Sequence, residues 1–251
     1  MKPLYLVANW KSNKTIEESI AWIQNFKSQM SRLHPPKATQ LQAGADGGQA
    51  ISNIKLSNNL KIILCAPFTV LASLKEEIEK AALPIHLGAQ DISPFGKGAY
   101  TGEINADMLK GLIEYVLIGH SERRKYFQEK EEELSFEVLQ SHSANFQTIY
   151  CIEKENEYVP ASVDIIAYEP ILAIGSGKAE DPKSANMLCE KIRQRNQQKP
   201  VLYGGSVTPE NIKNYCEQPS INGVLVGGAS LDAEIFSRLA SGFQQVFSKE
   251  V

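Results

Sequence analysis

The sequence predicts an α/β fold in the form of a closed (β/α)8 barrel. Short apolar runs rich in β-branched residues recur along the chain, and helical patterns separate most of them. The runs contain few polar residues, which is typical of parallel strands that are buried on both faces. Eight such units within 251 residues favour one barrel domain, 1–251, over the alternative of an open doubly wound sheet. The predicted strands are residues 4–8, 61–66, 85–89, 115–119, 148–152, 164–168, 200–203 and 223–226.

The helices between these strands are predicted from apolar spacing and from their first residues. Thr15, with Glu18 three residues later, forms a capping box ahead of the first helix. Pro182 and Pro209 each follow a residue suited to the N-cap, which places a proline in the first turn. The predicted helices are residues 15–30, 69–82, 105–111, 129–141, 182–197, 208–216 and 232–247.

Two connections break this alternation. Residues 31–59, between the first helix and the second strand, are polar and contain Gly and Pro, which predicts either a functional loop or a solvated, disordered insertion. Only residues 153–163 separate strand five from strand six, whereas a parallel crossover usually takes a dozen residues or more. The helix after strand five is therefore predicted to be largely missing.

Residues able to do acid–base chemistry follow three of the strands. Asn9 and Lys11 follow strand one, His120 and Glu122 follow strand four, and Glu169 follows strand six. Because the carboxyl ends of barrel strands meet on one rim, these side chains are expected to converge there.

Glycine pairs follow strands seven and eight, within residues 204–206 and 227–230. Glycine lets backbone N–H groups approach an anion, and barrels commonly bind phosphate at these two strand ends. Residues 171–178 come directly after Glu169 and are apolar with two glycines. This segment is interpreted either as a lid that excludes water or as a connection packed on the barrel.

Charge and cysteine content limit the partners. The chain has 26 Lys and Arg against 29 Asp and Glu, so it lacks the basic surface expected of a nucleic-acid-binding protein. It contains no run of 18 apolar residues, which predicts no membrane-spanning helix and no membrane partner. Its four cysteines are widely spaced, which predicts free thiols and a cytoplasmic location.

Taken together, the strand-end motifs resemble those of the triosephosphate isomerase family. They occur in order from the first strand to the last, and the resemblance implies the family's TIM barrel and its reaction on a small phosphorylated triose. The matching segments are residues 9–11, 98–103, 118–124, 167–170, 173–178, 203–206 and 225–230.

The resemblance implies a role for each of the five rim residues. Glu169 would move the proton between two carbons, and neutral His120 would polarise the carbonyl. Lys11 would supply positive charge, Asn9 would orient the substrate, and Glu122 would pair with Lys11.

The resemblance also implies how phosphate and a second subunit are bound. Gly175, Ser206, Gly227 and Gly228 would hold the phosphate, and no metal or organic cofactor is implied. The family forms homodimers, and residues 91–103 match its dimer loop. Thr101 is the expected contact near the partner's Lys11.

This chain departs from the family pattern at three residues besides the missing helix and the insertion. Glu153 replaces a Gly after strand five, Leu172 replaces a Trp at the start of the lid, and Gln128 replaces a Gly after Phe127. These departures keep two alternatives open. One is a weakly active or inactive homologue that binds a phosphometabolite or acts as a scaffold, and the other is a different phosphosugar isomerase or aldolase-type barrel.

The missing helix is expected to expose apolar surface and lower stability. We expect the uncovered surface near Cys151 and Ile165, where Tyr158, Val159 or a neighbouring segment would have to cover it.

Overall fold

The computed structural model describes residues 2–33, 59–170 and 179–247. Each strand in these ranges pairs in parallel with the next, and β8 pairs with β1, so the sheet is closed. This confirms the predicted barrel and excludes the open sheet. The strands are β1 (Leu4–Asn9), β2 (Leu60–Ala66), β3 (Ile85–Ala89), β4 (Tyr115–Ile118), β5 (Gln147–Ile152), β6 (Ile165–Tyr168), β7 (Val201–Tyr203) and β8 (Gly223–Val226).

Helices surround the barrel and connect most of its strands. Two short 3-10 helices, Phe68–Val70 and Gly228–Leu231, follow β2 and β8. No helix within the described ranges combines the length and apolar character that a bilayer crossing needs. The α-helices are α1 (Ile16–Leu33), α2 (Leu71–Ala81), α3 (Ala106–Leu109), α4 (Ser121–Phe127), α5 (Glu131–Ser143), α6 (Pro182–Arg195), α7 (Ile212–Cys216) and α8 (Ala233–Phe247).

The capping predictions succeed at two helices and fail at a third. Thr15 and Glu18 form the reciprocal pair of hydrogen bonds of a capping box. Asp181 accepts hydrogen bonds from the first turn of α6, ahead of its N1 proline. The prediction that Pro209 opens a helix is wrong, because α7 begins only after Asn211. Asn211 instead closes a turn by accepting the N–H of residue 208.

Helix α4 was missed by the sequence patterns, which indicated only a strand end there. Of its seven residues only Ser121 is buried, whereas Tyr126 and Phe127 are 65% and 69% exposed. A helix without an apolar stripe leaves no periodic signal in the sequence.

Most of the 31–59 insertion lies outside the described residues. Helix α1 runs on to Leu33, three residues beyond its predicted end, and the chain is described again from residue 59. The prediction about the character of this insertion stays a prediction.

Alternation along the strands divides the apolar side chains into an interior set and an outer set. Asn9 follows Tyr5 and Val7 of the interior set at a spacing of two, and Glu169 follows Ala167 of β6 in the same way. The strands therefore direct polar residues to the mouth of the barrel. The interior set comprises Tyr5, Val7, Ile63, Cys65, Tyr115, Leu117, Ile149, Cys151, Ile165, Ala167, Leu202 and Leu225.

Residues 153–164 form turns and bends without a helix, as their small number predicts. The surface that needs cover near Cys151 and Ile165 belongs to their outward-facing neighbours, not to these two side chains themselves. Both side chains belong to the interior set and are 1% and 2% exposed, because odd-numbered residues of β5 and β6 face inward.

The outward-facing residues of β5 and β6 are covered in other ways. Tyr150 and Ile166 are fully buried, and the Arg124 guanidinium lies 5.4 Å from the centre of the Tyr150 ring. Val159 packs in the outer set at 9% exposure, whereas Tyr158 stays 58% exposed and covers little. An arginine from α4 and a short loop thus take the place of a helix.

All four cysteines are buried and unpaired, which confirms the predicted free thiols. Burial raises the pKa of the Cys65 thiol to about 12. A thiol of this kind stays protonated near neutral pH and packs as a small apolar side chain.

Candidate active site

A cavity of about 310 Å³ opens at the carboxyl ends of the strands. Its wall includes seven of the residues predicted from the strand-end motifs, which are Asn9, Lys11, His120, Glu169, Ser206, Gly227 and Gly228. Leu225, from the interior set, also lines it. The other lining residues are Gly204, Gly205, Val207, Thr208, Val226 and Ala229.

Glu169 is held by two donors at the buried side of this cavity. Its residue is 3% exposed, and its Oε1 lies 3.0 Å from Nε2 of His120. The backbone N–H of Ser121 donates to the other oxygen, Oε2, at 3.1 Å. The first turn of α4 and the end of β6 are thereby joined through one carboxylate.

The hydrogen bonds of His120 determine its tautomer. Nδ1 accepts the backbone N–H of Glu122 at 3.2 Å, so this nitrogen carries no proton. Nε2 therefore bears the single ring proton and donates it to Glu169. His120 is a neutral imidazole whose one donor points into the cavity.

Opposing effects act on the acidity of Glu169. Burial alone would raise the pKa of this carboxyl group, because it removes water from the charged form. The hydrogen bond and electrostatic interaction with His120, the Ser121 N–H and the positive charge of Lys11 outweigh burial and hold the pKa below its ordinary value. Glu169 is thus ionised at neutral pH, as a general base must be.

Lys11 has an unusual backbone conformation that neighbouring side chains support. Its φ of 54° lies in the left-handed region, which non-glycine residues rarely adopt. Asn9 Oδ1 accepts its N–H at 3.0 Å, and Gln90 Nε2 donates to its carbonyl oxygen at 3.0 Å and to that of Cys65 at 3.1 Å. The ammonium group forms the predicted pair with Glu122, at 2.6 Å.

Glycines allow the rim to approach the two charged side chains. A Cβ on Gly204 would lie 2.9 Å from Cγ of Glu169, and one on Gly227 would lie 3.4 Å from Cε of Lys11. A larger residue at position 204 would displace the carboxylate. The glycines after β7 and β8 therefore serve close packing as well as backbone access.

The predicted lid and the predicted dimer contact are not among the described residues that line this cavity. Gly175, Leu172 and the whole 171–178 segment lie outside the described residues. Thr101 is exposed at a turn in the loop after β3, and it does not line the cavity.

Sequence reasoning missed two groups that hold the site together. Gln90 comes directly after β3, so the rule that identified the other rim residues would have found it. The backbone N–H of Ser121 could not be recognised in this way, because it depends on the start of α4, which has no apolar pattern. Within the described residues, the one group of three possible metal ligands lies away from the cavity.

Known proteins are similar to this chain over most of its length. Residues 37–243 match the family model described as triosephosphate isomerase. A triosephosphate isomerase of Mesomycoplasma hyorhinis is 35% identical over 95% of this chain and 98% of its own length. The protein of that name from Gloeobacter violaceus is 36% identical over 96% and 99%, and the one from Dehalococcoides mccartyi strain CBDB1 is 35% identical over 94% of both chains.

Proposed function

The chain belongs to the triosephosphate isomerase family, and on that premise we propose that this cavity interconverts dihydroxyacetone phosphate and glyceraldehyde 3-phosphate. The reaction serves glycolysis and gluconeogenesis, and it moves a proton between adjacent carbons through an enediolate. The observation that carries the proposal is the convergence of Glu169, His120 and Lys11 in one cavity, which provides a base, a neutral donor and a cation.

Glu169 is the base that removes the proton from one carbon and returns it to the next. It is ionised, nearly buried and faces the cavity. When substrate displaces the donors that now hold it, burial becomes the main influence on this carboxylate, and its basicity rises. A single carboxylate can serve both carbons because they are adjacent.

His120 polarises the carbonyl group through its Nε2 proton. A neutral imidazole donates a hydrogen bond to the developing enediolate oxygen and so stabilises its negative charge. The Glu122 N–H on Nδ1 fixes the ring so that this donor faces the cavity.

Lys11 stabilises the negative charge of the substrate and of the enediolate. In a cavity with little water its charge acts more strongly than on an open surface. Asn9 orients the substrate and supports the Lys11 backbone, while Glu122 holds the ammonium group until an anion arrives.

The phosphate group binds at the glycine-rich ends of β7 and β8. Ser206, Gly227 and Gly228 line that side of the cavity, and short residues there leave backbone N–H groups accessible to oxygen atoms. Gly175 is assigned to the same group by its motif.

Turnover of glyceraldehyde 3-phosphate, measured in a coupled assay, tests the proposal. Glu169→Asp retracts the carboxylate by about 1.5 Å, the length of one carbon–carbon bond, and a misplacement of 1 Å can cost about 100-fold in rate. We expect kcat to fall by about two to three orders of magnitude, with KM changed by less than about threefold. Glu76→Asp, an exposed residue of α2, is the matched control and should leave both constants unchanged.

Two results would contradict these assignments. Absence of turnover by the folded wild-type protein would overturn the isomerase function and favour the binding or scaffolding alternative. A near-normal kcat for Glu169→Asp would remove Glu169 from its role as base.

The loop at 91–103 is proposed to join two copies of the chain in a homodimer. Its tip, including Thr101, is exposed, and Phe95 and Tyr100 stack with ring centres 4.3 Å apart while each stays 46% exposed. Stacked aromatic rings at a protruding loop are typical of a protein interface. Light scattering should give twice the chain mass for wild type and for Ser28→Arg, and the single-chain mass for Thr101→Arg. A monomeric wild-type protein would contradict the dimer.

A cytoplasmic location is part of the same proposal. Four buried, unpaired cysteines suit a reducing compartment, where disulfides do not form. Fractionation of cells that produce the protein would test it, and recovery in an oxidising compartment would contradict it.

A further inference from the structure

Three carboxylates meet outside the cavity, where the loop after β3 reaches helices α4 and α5. Asp91 lies at the start of the 91–103 loop, Glu129 lies between the two helices, and Glu137 is on α5. One oxygen atom from each lies within 4.8 Å of the others. Three acidic groups at this spacing match the distance between ligands of one metal ion.

The three side chains are too well buried for solvent to explain their arrangement. The Glu137 residue is 3% exposed, and the side chains of Glu129 and Asp91 are 8% and 19% exposed. Oε2 of Glu137, Oε2 of Glu129 and Oδ1 of Asp91 are buried and have no hydrogen-bond partner. Buried acceptors of this kind are costly unless a ligand satisfies them.

Arg123 satisfies only part of the negative charge. Its guanidinium lies 2.6 Å from Oδ2 of Asp91 and also contacts Oε1 of Glu129. Those contacts leave the second oxygen of each carboxylate unpartnered. With all three groups ionised, one guanidinium leaves two negative charges uncompensated.

The pKa values of Glu137 and Asp91 reflect the same excess of negative charge. Burial, followed by the charges of Asp91 and Glu129, raises the pKa of Glu137 to about 9. Burial also raises the pKa of Asp91 to about 7, against the lowering effect of Arg123.

We propose that Asp91, Glu129 and Glu137 bind one divalent cation of the oxygen-preferring class, such as Mg²⁺, Mn²⁺ or Ca²⁺. Carboxylate oxygens are the ligands that these ions prefer, and a double charge balances the two that Arg123 leaves. Water completes the coordination on the side where Asp91 is partly exposed. The ion ties the 91–103 loop to α4 and α5, so its role is structural and separate from the chemistry of the cavity.

Calorimetric titration of EDTA-treated, full-length protein with MnCl₂, MgCl₂ and CaCl₂ near pH 8 tests the site. The expected result for wild type is saturable binding of one ion per chain by at least one of the three metals. Binding also raises the melting temperature, because a ligand of the folded state stabilises it. Absence of saturable binding by all three ions in folded wild-type protein overturns the proposal and leaves a shared proton as the explanation.

Two variants locate the binding. Glu137→Gln removes a buried ligand, and Glu132→Gln makes the same chemical change at an exposed position of α5. The first should weaken binding at least about tenfold and the second should not change it. Should Glu137→Gln fail to fold, Asp91→Asn gives the same comparison from the loop side. Wild-type affinity in folded Glu137→Gln or folded Asp91→Asn would overturn the assignment.

Discussion

Gln90 gives the clearest test of how the site is built, because it donates hydrogen bonds to the backbone of Lys11 and Cys65. In Gln90→Met a side chain of similar length keeps the packing but removes both N–H donors. The two hydrogen bonds lost are those to the carbonyl oxygens of Lys11 and Cys65, at 3.0 and 3.1 Å. Without them, the left-handed conformation of Lys11, with φ of 54°, loses its main support on the carbonyl side.

The expected size of the effect follows from these contacts. Each hydrogen bond contributes about 1 kcal/mol net, so the pair amounts to about 2 kcal/mol. If this free energy holds Lys11 in its working position, kcat/KM falls by about 30-fold, since 1.4 kcal/mol corresponds to about tenfold. We expect a higher KM together with a lower kcat, because Lys11 is proposed to stabilise both the substrate and the enediolate.

Steady-state kinetics and thermal unfolding on the same preparations provide the measurement. Gln24→Met, at an exposed position of α1, is the control and should match wild type in both assays. The reasoning is refuted if Gln90→Met is folded and its kcat/KM stays within twofold of wild type. In that case, the backbone of Lys11 would hold its position without Gln90.

Three further substitutions test the fold around the site. Because the folded-state pKa of Glu169 lies below its ordinary value of 4.5, its ionised form stabilises the fold above that pH, and this contribution is lost as pH falls through the folded-state pKa. Urea unfolding should therefore show the free-energy advantage of wild type over Glu169→Gln shrinking as the pH falls below 4.5, and a constant difference there would contradict it. Gly205→Ala should cost about 1–3 kcal/mol in thermal unfolding, because its Cβ would clash with the Tyr203 hydroxyl oxygen 2.2 Å away. An unchanged melting temperature would contradict it. Arg124→Lys should lower the free energy of unfolding by about 1–3 kcal/mol. The guanidinium binds the carbonyl oxygens of Cys151 and residue 119, and an ammonium group does not reach both. Unchanged stability in urea would show that one contact is enough.

Much of the barrel could be predicted because its strands are buried on both faces. A run such as Ile62–Leu64 is apolar at every position, and this signal survives without any knowledge of its neighbours. The direction in which each side chain points was harder to predict. The sequence predicts surface in need of cover near Cys151 and Ile165 without saying which side chains face it, and the structure puts these two in the interior set. Whether a strand side chain points into the barrel or out of it depends on the register of the strand. That register depends on the neighbouring strands, which a continuous apolar run does not reveal.

The site was predictable to the extent that it depends on strand ends. Lys11 and Glu169 extend their strands beyond the apolar run, so their convergence follows from the closure of the barrel. The groups that hold these two side chains in place were not predictable in this way. The Ser121 N–H reaches Glu169 only because α4 starts immediately after β4, and that helix has one buried residue. Local hydrogen bonding, which leaves no periodic pattern, fixes the parts of the site that the sequence did not reveal.

The contact between His120 and Glu169 also bears on how catalysis would begin. The Nε2 proton of His120 is bonded to Glu169, so the donor proposed to meet the substrate carbonyl is occupied by the proposed base. A carbonyl oxygen that takes this proton must displace the carboxylate. Displacement removes the hydrogen bond that most lowers the pKa of Glu169, while burial, which raises it, remains. Substrate binding at His120 thus makes Glu169 more basic at the moment when a proton must be removed. The contact that keeps the base ionised in the free protein is the contact whose loss activates it.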